Sequence, residues 1–173
     1  MMTKILTLIL WCVFGIELYL SEGLSPSTNV LLSMGALQGA SFSYEKLLYA
    51  GFLHAHFLHI FFNTWALSSI GSIVERYDGP IKMIFIFLCG VIGGSSLSLF
   101  FQTNPYVISV GASSGIMALL MNLFIIGIKQ NNTWLLKQLL FTIIIALVPV
   151  IPGIDYSGHL GGAIVGIILG IAL

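Results

Sequence analysis

The sequence has 173 residues, of which 58% are hydrophobic and only 7% are charged. A soluble domain carries roughly 25% charged residues, and a chain with a mean hydropathy of +1.06 has too little polar surface to cover a globule in water. The composition therefore excludes a soluble domain and predicts an all-α polytopic membrane protein, while the net charge of zero excludes a basic surface for nucleic acid.

Six apolar segments are long enough to cross a bilayer. A span needs about 20 mostly apolar residues to cross roughly 30 Å of hydrocarbon, and the stretches between these segments carry nearly all the charges. We therefore predict one membrane domain over residues 1–173. Its six spans lie at about 4–20, 51–73, 81–101, 111–128, 134–151 and 157–173.

The first segment could also be a signal peptide, because Lys4 precedes a short apolar run. A span is favoured, since Glu17 interrupts the run and no small-x-small cleavage site follows it. Cys12, in this span, and Cys89, in the third, lie inside apolar runs, so the sequence indicates neither a disulfide framework nor a thiolate metal site.

The orientation follows from the positive-inside rule. With the amino terminus inside, both termini are cytoplasmic, and only Lys46 of the six Lys and Arg residues lies outside. It belongs to a long outer loop over 21–50. The other basic residues fall on the cytoplasmic side: Lys4, Arg76, Lys82, Lys129 and Lys137.

The second span carries a cluster of polar residues, which are costly at membrane depth and often mark a site. His59 and Asn63 are one helical turn apart on one face, with His56 close to that face and His54 pointing elsewhere. We expect His54 and His56 to reach water near the outer end of the span. A metal site on the three histidines is a weaker alternative, because this spacing scatters the ligands around a helix and no HExxH motif is present.

Small residues dominate the fourth and sixth spans. The fourth opens with GASSG over 111–115, and the sixth has Gly162, Gly166 and Gly170 on one side, with His159 one turn before them. Such residues commonly serve only close helix packing in membranes. We expect the glycine ridge to bring the sixth span against a neighbouring helix, with His159 at the outer end of that contact.

The polar residues of these spans are predicted to lie at a similar depth in the membrane. The second, fourth and sixth spans all run from outside to inside, so His59, Ser113 and His159 lie near the outer ends of their spans at comparable depth. A hydroxyl, an imidazole and a further His/Asn pair at one level are the groups that nucleophilic acyl transfer requires.

Four segments, in order and on the expected spans, resemble the rhomboid family of intramembrane serine proteases, and the similarity covers the chain from about Asn29 to its end. They are His59-x-x-x-Asn63, Gly71 to Glu75, Gly111 to Ser114, and Ile154 to Gly162 with Gly166. The resemblance implies a six-span rhomboid-like bundle with a long outer loop between the first and second spans.

The resemblance also implies the roles of the site residues. Ser113 is the expected nucleophile and His159 the expected general base, and later general acid. The side chains of His59 and Asn63, with the backbone N–H of Ser113, are the expected oxyanion site. No metal or cofactor is implied.

The sequence departs from the family's GxSG pattern, because Ser114 stands where the second glycine is expected. The nucleophile could therefore be Ser114, followed by Gly115. We favour Ser113, because Gly111 and the pair Ala118-Leu119 then keep their family positions.

Two further departures concern packing around the site. Met117 replaces a residue that is often aromatic and packs against the catalytic histidine, and Tyr44-Glu45-Lys46 replaces a Trp-Arg pair in the outer loop. We interpret Asp155, Glu17 and Glu75 as structural carboxylates.

We therefore expect a serine endopeptidase that cleaves transmembrane segments of single-span membrane proteins, in a prokaryotic cell membrane, with an active site that opens to the outer face. His54, His56 and Ser109 are candidates to line a path for water. One alternative is a catalytically inactive rhomboid-like protein that binds or escorts membrane helices. A small transporter or metal carrier that uses the histidine cluster is another.

Overall fold

The apolar segments fold as helices, because within lipid a single segment satisfies its own backbone N–H and C=O groups only in that form. The computed structural model describes residues 1–147 and 153–173, and within those ranges it has no β-strand beyond an isolated bridge between Leu37 and Ser109. Its helices are α1 (Met2–Ser21), α2 (Thr28–Ser33), α3 (Lys46–Tyr49), α4 (Phe57–Ala66), α5 (Ser72–Phe101), α6 (Ser113–Lys129), α7 (Thr133–Leu147) and α8 (Tyr156–Ala172). The all-α prediction is confirmed.

A π-helical turn, Leu67–Gly71, joins α4 to α5, and the continuous run Phe57–Phe101 has 45 residues. Gly79, at φ 83° and ψ 166°, breaks this run immediately before Pro80. The Phe52 and Phe87 ring centroids lie 6.3 Å apart, so the part of α5 after the break packs beside the segment that precedes α4. The break thus divides the run into two apolar helical segments. It lies in the region where the sequence predicts a loop between the second and third spans.

Two of the described helical runs, Met2–Ser21 and Phe57–Phe101, are long and apolar enough to cross a membrane. The helices Ser113–Lys129, Thr133–Leu147 and Tyr156–Ala172 are also apolar but shorter. The end of the predicted fifth span, 148–151, lies outside the described residues. The count of six crossings stays a prediction.

The beginning of the predicted second span is different in the structure. A 3₁₀ turn occupies Ala50–Phe52, and α4 begins only at Phe57, with His56 as its N-cap. His54 therefore precedes the helix, and its side chain is 0% exposed. The expectation that His54 reaches water was wrong, because the segment before α4 turns inward toward α1. His56 is exposed, as expected.

Helix α6 forms the centre of the molecule. All residues from Ser114 to Leu123 are buried, because α5 and α8 pack closely on it through small residues. A Cβ on Gly162 would overlap the backbone of Ser114, and one on Gly166 would overlap the backbone of Ala118. The glycine ridge of α8 therefore packs against α6 in steps of four residues, which confirms that prediction.

A carboxylate joins α1 to the start of α5. Glu75 accepts hydrogen bonds from the backbone N–H of Met2 at 2.7 Å and of Thr3 at 2.9 Å, and from the Thr3 hydroxyl at 2.7 Å. The structural interpretation of Glu75 is thereby confirmed.

The segment between α1 and α4 is tied to the loop before α6. The backbones of Leu37 and Ser109 exchange two hydrogen bonds, of 3.1 and 2.9 Å. Within the segment, the Lys46 ammonium donates to the Ser41 carbonyl at 2.6 Å. The Ser43 hydroxyl donates to Glu45, and this hydrogen bond lowers the pKa of that carboxyl. Local polar contacts thus hold the Tyr44-Glu45-Lys46 turn.

Candidate active site

Ser113 and Ser114 begin α6 but have different surroundings. Ser113 is the first residue of the helix and is half-buried, whereas Ser114 is 7% exposed. The Ser114 side chain packs closely on the backbone of Gly94 in α5. Ser113 lies at the helix amino terminus, where backbone N–H groups lack partners within the helix and the helix dipole favours negative charge.

The imidazole of His59 lies beside the loop that leads into α6. Gly111 has φ +126°, and a Cβ there would lie 2.6 Å from His59 Nε2 and 2.7 Å from Cε1. The N–H of Gly111 donates to the Ala50 carbonyl at 2.9 Å, which fixes this loop against the segment before α4. The fold thus places His59, the third residue of α4, against Gly111, which precedes Ser113 by two residues in the sequence.

Asn63 lies one turn after His59 and is 7% exposed. Its amide nitrogen donates to the His59 carbonyl at 2.9 Å. The Asn side-chain amide has two N–H groups, so this bond leaves one N–H for another acceptor. Asn63 therefore contacts the turn that carries His59 and keeps one donor.

His159 is the fourth residue of α8 and is half-buried. Its Nδ1 lies 2.8 Å from the carbonyl oxygen of Ala146, near the end of α7. A carbonyl oxygen only accepts, so Nδ1 donates, and a neutral ring then has its lone pair on Nε2. No pattern in the sequence indicates this contact, because every residue has a backbone carbonyl.

Helix packing places Ser113 and His159 at the same end of the bundle. The ridge of α8 contacts α6 first at Ser114 and then, one turn later in both helices, at Ala118, so the two helices run in parallel. Ser113 and His159 both lie in the amino-terminal turns of these helices. Among the hydrogen bonds of residues 1–147 and 153–173, none joins the two side chains. Catalytic hydrogen bonds are often long before substrate binds.

A narrow cavity of about 20 Å³ lies beside Ser113. This volume is enough for roughly one water molecule. Half of the residues that line it have polar side chains, and the lining comprises Ala50, Gly94, Ser95, Ser109, Val110, Gly111, Ser113, Ser114, Asp155 and Gly158.

Asp155 holds together the wall of this cavity. Its carboxylate accepts hydrogen bonds from the Ser98 hydroxyl, from the Ser109 hydroxyl at 2.6 Å and from the Gly158 N–H at 2.8 Å. It therefore caps α8 and ties that helix to α5 and to the loop before α6. The interpretation of Asp155 as a structural loop contact is confirmed.

The remaining histidines do not form a metal centre with their neighbours. The N-cap His56 accepts the His59 N–H through Nδ1 at 3.1 Å, while the His54 ring packs edge-on against the His59 ring with centroids 5.0 Å apart. In the described part of the chain, no three His, Cys, Asp or Glu residues are grouped to hold a metal ion.

Comparison with known proteins identifies the family. A model of the Rhomboid domain matches residues 41–173. The chain is 33% identical over 160 residues to the rhomboid protease GluP of Bacillus subtilis (strain 168), a match that covers 88% of this chain and 31% of that protein. It is 35% identical over 159 residues to RHOMBOID-like protein 2 of Arabidopsis thaliana, covering 86% of this chain and 49% of that protein.

A third relative is Rhomboid-like protease 1 of Toxoplasma gondii, 30% identical over 164 residues, with coverage of 85% of this chain and 54% of that protein. The chain thus spans about a third to a half of the length of these relatives. Because the family model covers most of the sequence, the chain belongs to the rhomboid family, whose members are integral membrane proteins.

Proposed function

We propose that this protein is an intramembrane serine endopeptidase that cleaves transmembrane segments of other membrane proteins. Ser113 is the nucleophile and His159 the general base. The observation that carries the proposal is the contact between His159 Nδ1 and the Ala146 carbonyl, which leaves Nε2 as the basic nitrogen at the end of the bundle where Ser113 begins α6. Similarity to a named rhomboid protease supports the same activity.

In this mechanism Ser113 Oγ attacks the carbonyl carbon of the scissile peptide bond while His159 Nε2 accepts the hydroxyl proton. The tetrahedral oxyanion is stabilised by the Ser113 N–H at the start of α6, by the His59 ring and by the second N–H of Asn63. His159 then donates its proton to the leaving amine. A water molecule, deprotonated by His159, hydrolyses the acyl-enzyme and restores Ser113.

The Ala146 carbonyl takes the place that a carboxylate has in a catalytic triad. It holds the imidazole in one tautomer and orientation. It carries only a partial negative charge, so it stabilises the imidazolium less than a carboxylate would. The alternative nucleophile Ser114 is disfavoured by its burial against Gly94.

We infer that the substrates are single-span membrane proteins. A peptide bond within an intact helix is hydrogen-bonded and shielded, so the substrate must unwind locally before Ser113 attacks it. Helix-weakening residues near the cleavage site therefore favour cleavage, and the family resemblance adds small residues beside it. The distribution of Lys and Arg favours cytoplasmic termini and an active site that opens to the outer face. We propose a prokaryotic cell membrane as the location.

The test is cleavage of a single-span model substrate by purified protein in proteoliposomes, with labelling by a fluorophosphonate probe. Ser113→Ala and His159→Ala should each reduce cleavage by at least about 10³-fold, and Ser113→Ala should abolish labelling. Ser114→Ala is the matched control and should keep both activities.

Labelling that is lost only in Ser114→Ala would show that Ser114, and not Ser113, is the nucleophile. Substrate that co-purifies with the protein but is neither cut nor accompanied by probe labelling would indicate the alternative, an inactive rhomboid-like protein that binds membrane helices.

A further inference from the structure

A buried carboxylate in α1 has no part in the mechanism above. Glu17 is 0% exposed. Its hydrogen-bond partner among the described residues is the backbone N–H of His54, at 3.2 Å from one carboxyl oxygen and 3.4 Å from the other. A carboxyl group buried without a cation is costly at membrane depth, so a residue of this kind is a candidate for function.

The residue that Glu17 holds is itself unusual. The His54 side chain is 0% exposed, and within the described part of the chain neither of its ring nitrogens makes a hydrogen bond of good geometry; the ring lies close to the backbone of Phe52. A buried imidazole without partners gives up the hydrogen bonds that it would make in water. The ring packs edge-on against the His59 ring, with centroids 5.0 Å apart and an interplanar angle of 65°.

These contacts form a continuous path from α1 to the start of α6. Glu17 holds the backbone of His54, and the ring of His54 packs on that of His59. The His59 ring in turn lies against Gly111, two residues before Ser113. His59 therefore lies between two neighbours, and Glu17 fixes the position of one of them.

We infer that Glu17 is a positioning residue for the oxyanion site: by holding the His54 backbone, it keeps the His54 ring against His59 and so sets the orientation of the His59 imidazole. The inference rests on the proposed function. It assigns Glu17 no contact with substrate, and it assigns the His54 ring the role of a packing surface for the His59 ring, against which it lies edge-on.

The first test is steady-state cleavage of the single-span substrate. Glu17→Leu removes the acceptor and should lower kcat about 10-fold with KM changed by less than about 2-fold, because an oxyanion contact is made in the transition state. Glu17→Gln keeps one acceptor oxygen and should stay within about 3-fold of the parent protein. His54→Phe keeps a ring against His59 and should do the same, whereas His54→Ala should match Glu17→Leu.

The second test is a double-mutant cycle with His59→Ala. If Glu17 acts through His59, Glu17→Leu should lower kcat by less than about 2-fold once His59 is absent. Leu10→Ala is the matched control, because it truncates another residue of α1 that is 0% exposed. Any loss of kcat that Leu10→Ala causes should be the same in the presence of His59 and in the His59→Ala protein.

Equal losses from Glu17→Leu with and without His59 would overturn the inference and leave Glu17 as a packing residue of α1. An effect on KM alone would overturn it too. If Glu17→Leu does not fold, the cycle is run with His54→Ala, and equal losses there have the same meaning. Failure of the proposed function is a separate result: the parent protein would then not cut the substrate, or cleavage would persist in Ser113→Ala.

Discussion

At the scale of single residues, the end of the bundle that carries the proposed site is organised by contacts to backbone atoms. His159 donates to the Ala146 carbonyl, Asn63 donates to the His59 carbonyl, and Glu17 accepts the His54 N–H. Backbone groups held in helices and tight loops move less than long side chains. Polar side chains tied to them keep fixed orientations, as a preorganised site requires.

Gly111 is the residue at which backbone geometry and the site meet most closely. Its φ of +126° is strained for any side chain, and a Cβ would lie 2.6 Å from His59 Nε2. Gly111→Ala should therefore displace the His59 ring or the loop that leads to Ser113. It should lower kcat on the order of 10²-fold, with a smaller change in KM. Kinetics on the single-span substrate in proteoliposomes measure both values.

Gly15→Ala in α1 is the control, because nothing lies within 4 Å of a Cβ at Gly15. It should leave kcat unchanged. A Gly111→Ala protein with normal kcat would contradict the assignment of His59 to the oxyanion site.

At the scale of helices, the packing of α5, α6 and α8 determines where Ser113 and His159 lie. Bilayer lipid gives little hydrophobic drive to helix association, so close van der Waals packing of small residues takes its place. The contact of Gly166 with the Ala118 backbone is one turn below that of Gly162 with Ser114. A shift of α8 by one turn would separate the serine and the histidine.

Gly166→Ala should therefore destabilise the bundle. The added methyl group would overlap the backbone of Ala118, which has no flexible side chain to move aside. We expect the free energy of unfolding in mixed micelles to fall by about 2 kcal/mol, within the range for overpacked cores. Gly23→Ala is the control, because the nearest atom to a Cβ there lies 3.6 Å away. Equal stability of the two variants would contradict the close packing of α6 on α8.

At the scale of the whole molecule, the distribution of Lys and Arg predicts the topology. Gln130, between α6 and α7, should be cytoplasmic, and Tyr44, in the segment before α4, should be outside. Both residues are exposed, so a cysteine at either position is open to reagent. In a Cys12→Ala, Cys89→Ala background, Tyr44→Cys should react with a membrane-impermeant maleimide in intact cells. Gln130→Cys should react only after permeabilisation, and the reverse pattern would invert the predicted orientation.

Much of the fold follows from the sequence, because its signals are local. Apolar runs predict helices to within a few residues, as for 157–173 and, after the break at Gly79, for 81–101. The four-residue spacing of Gly162 and Gly166 predicts the ridge that packs on α6. The predicted second span begins at residue 51, six residues before α4, because the apolar segment before Phe57 resembles the helix that follows it.

The sequence by itself determined that the chain lies in a membrane, that it is helical and which polar residues are candidates for the site. Composition and spacing carry that information, because burial in lipid acts on each segment separately. Only the tertiary structure decided that His54 is buried against His59, that the Ala146 carbonyl holds the ring of His159, and that Asp155 joins three elements. These contacts join residues on different elements, and several involve backbone groups that every residue has, so no local pattern in the sequence distinguishes them.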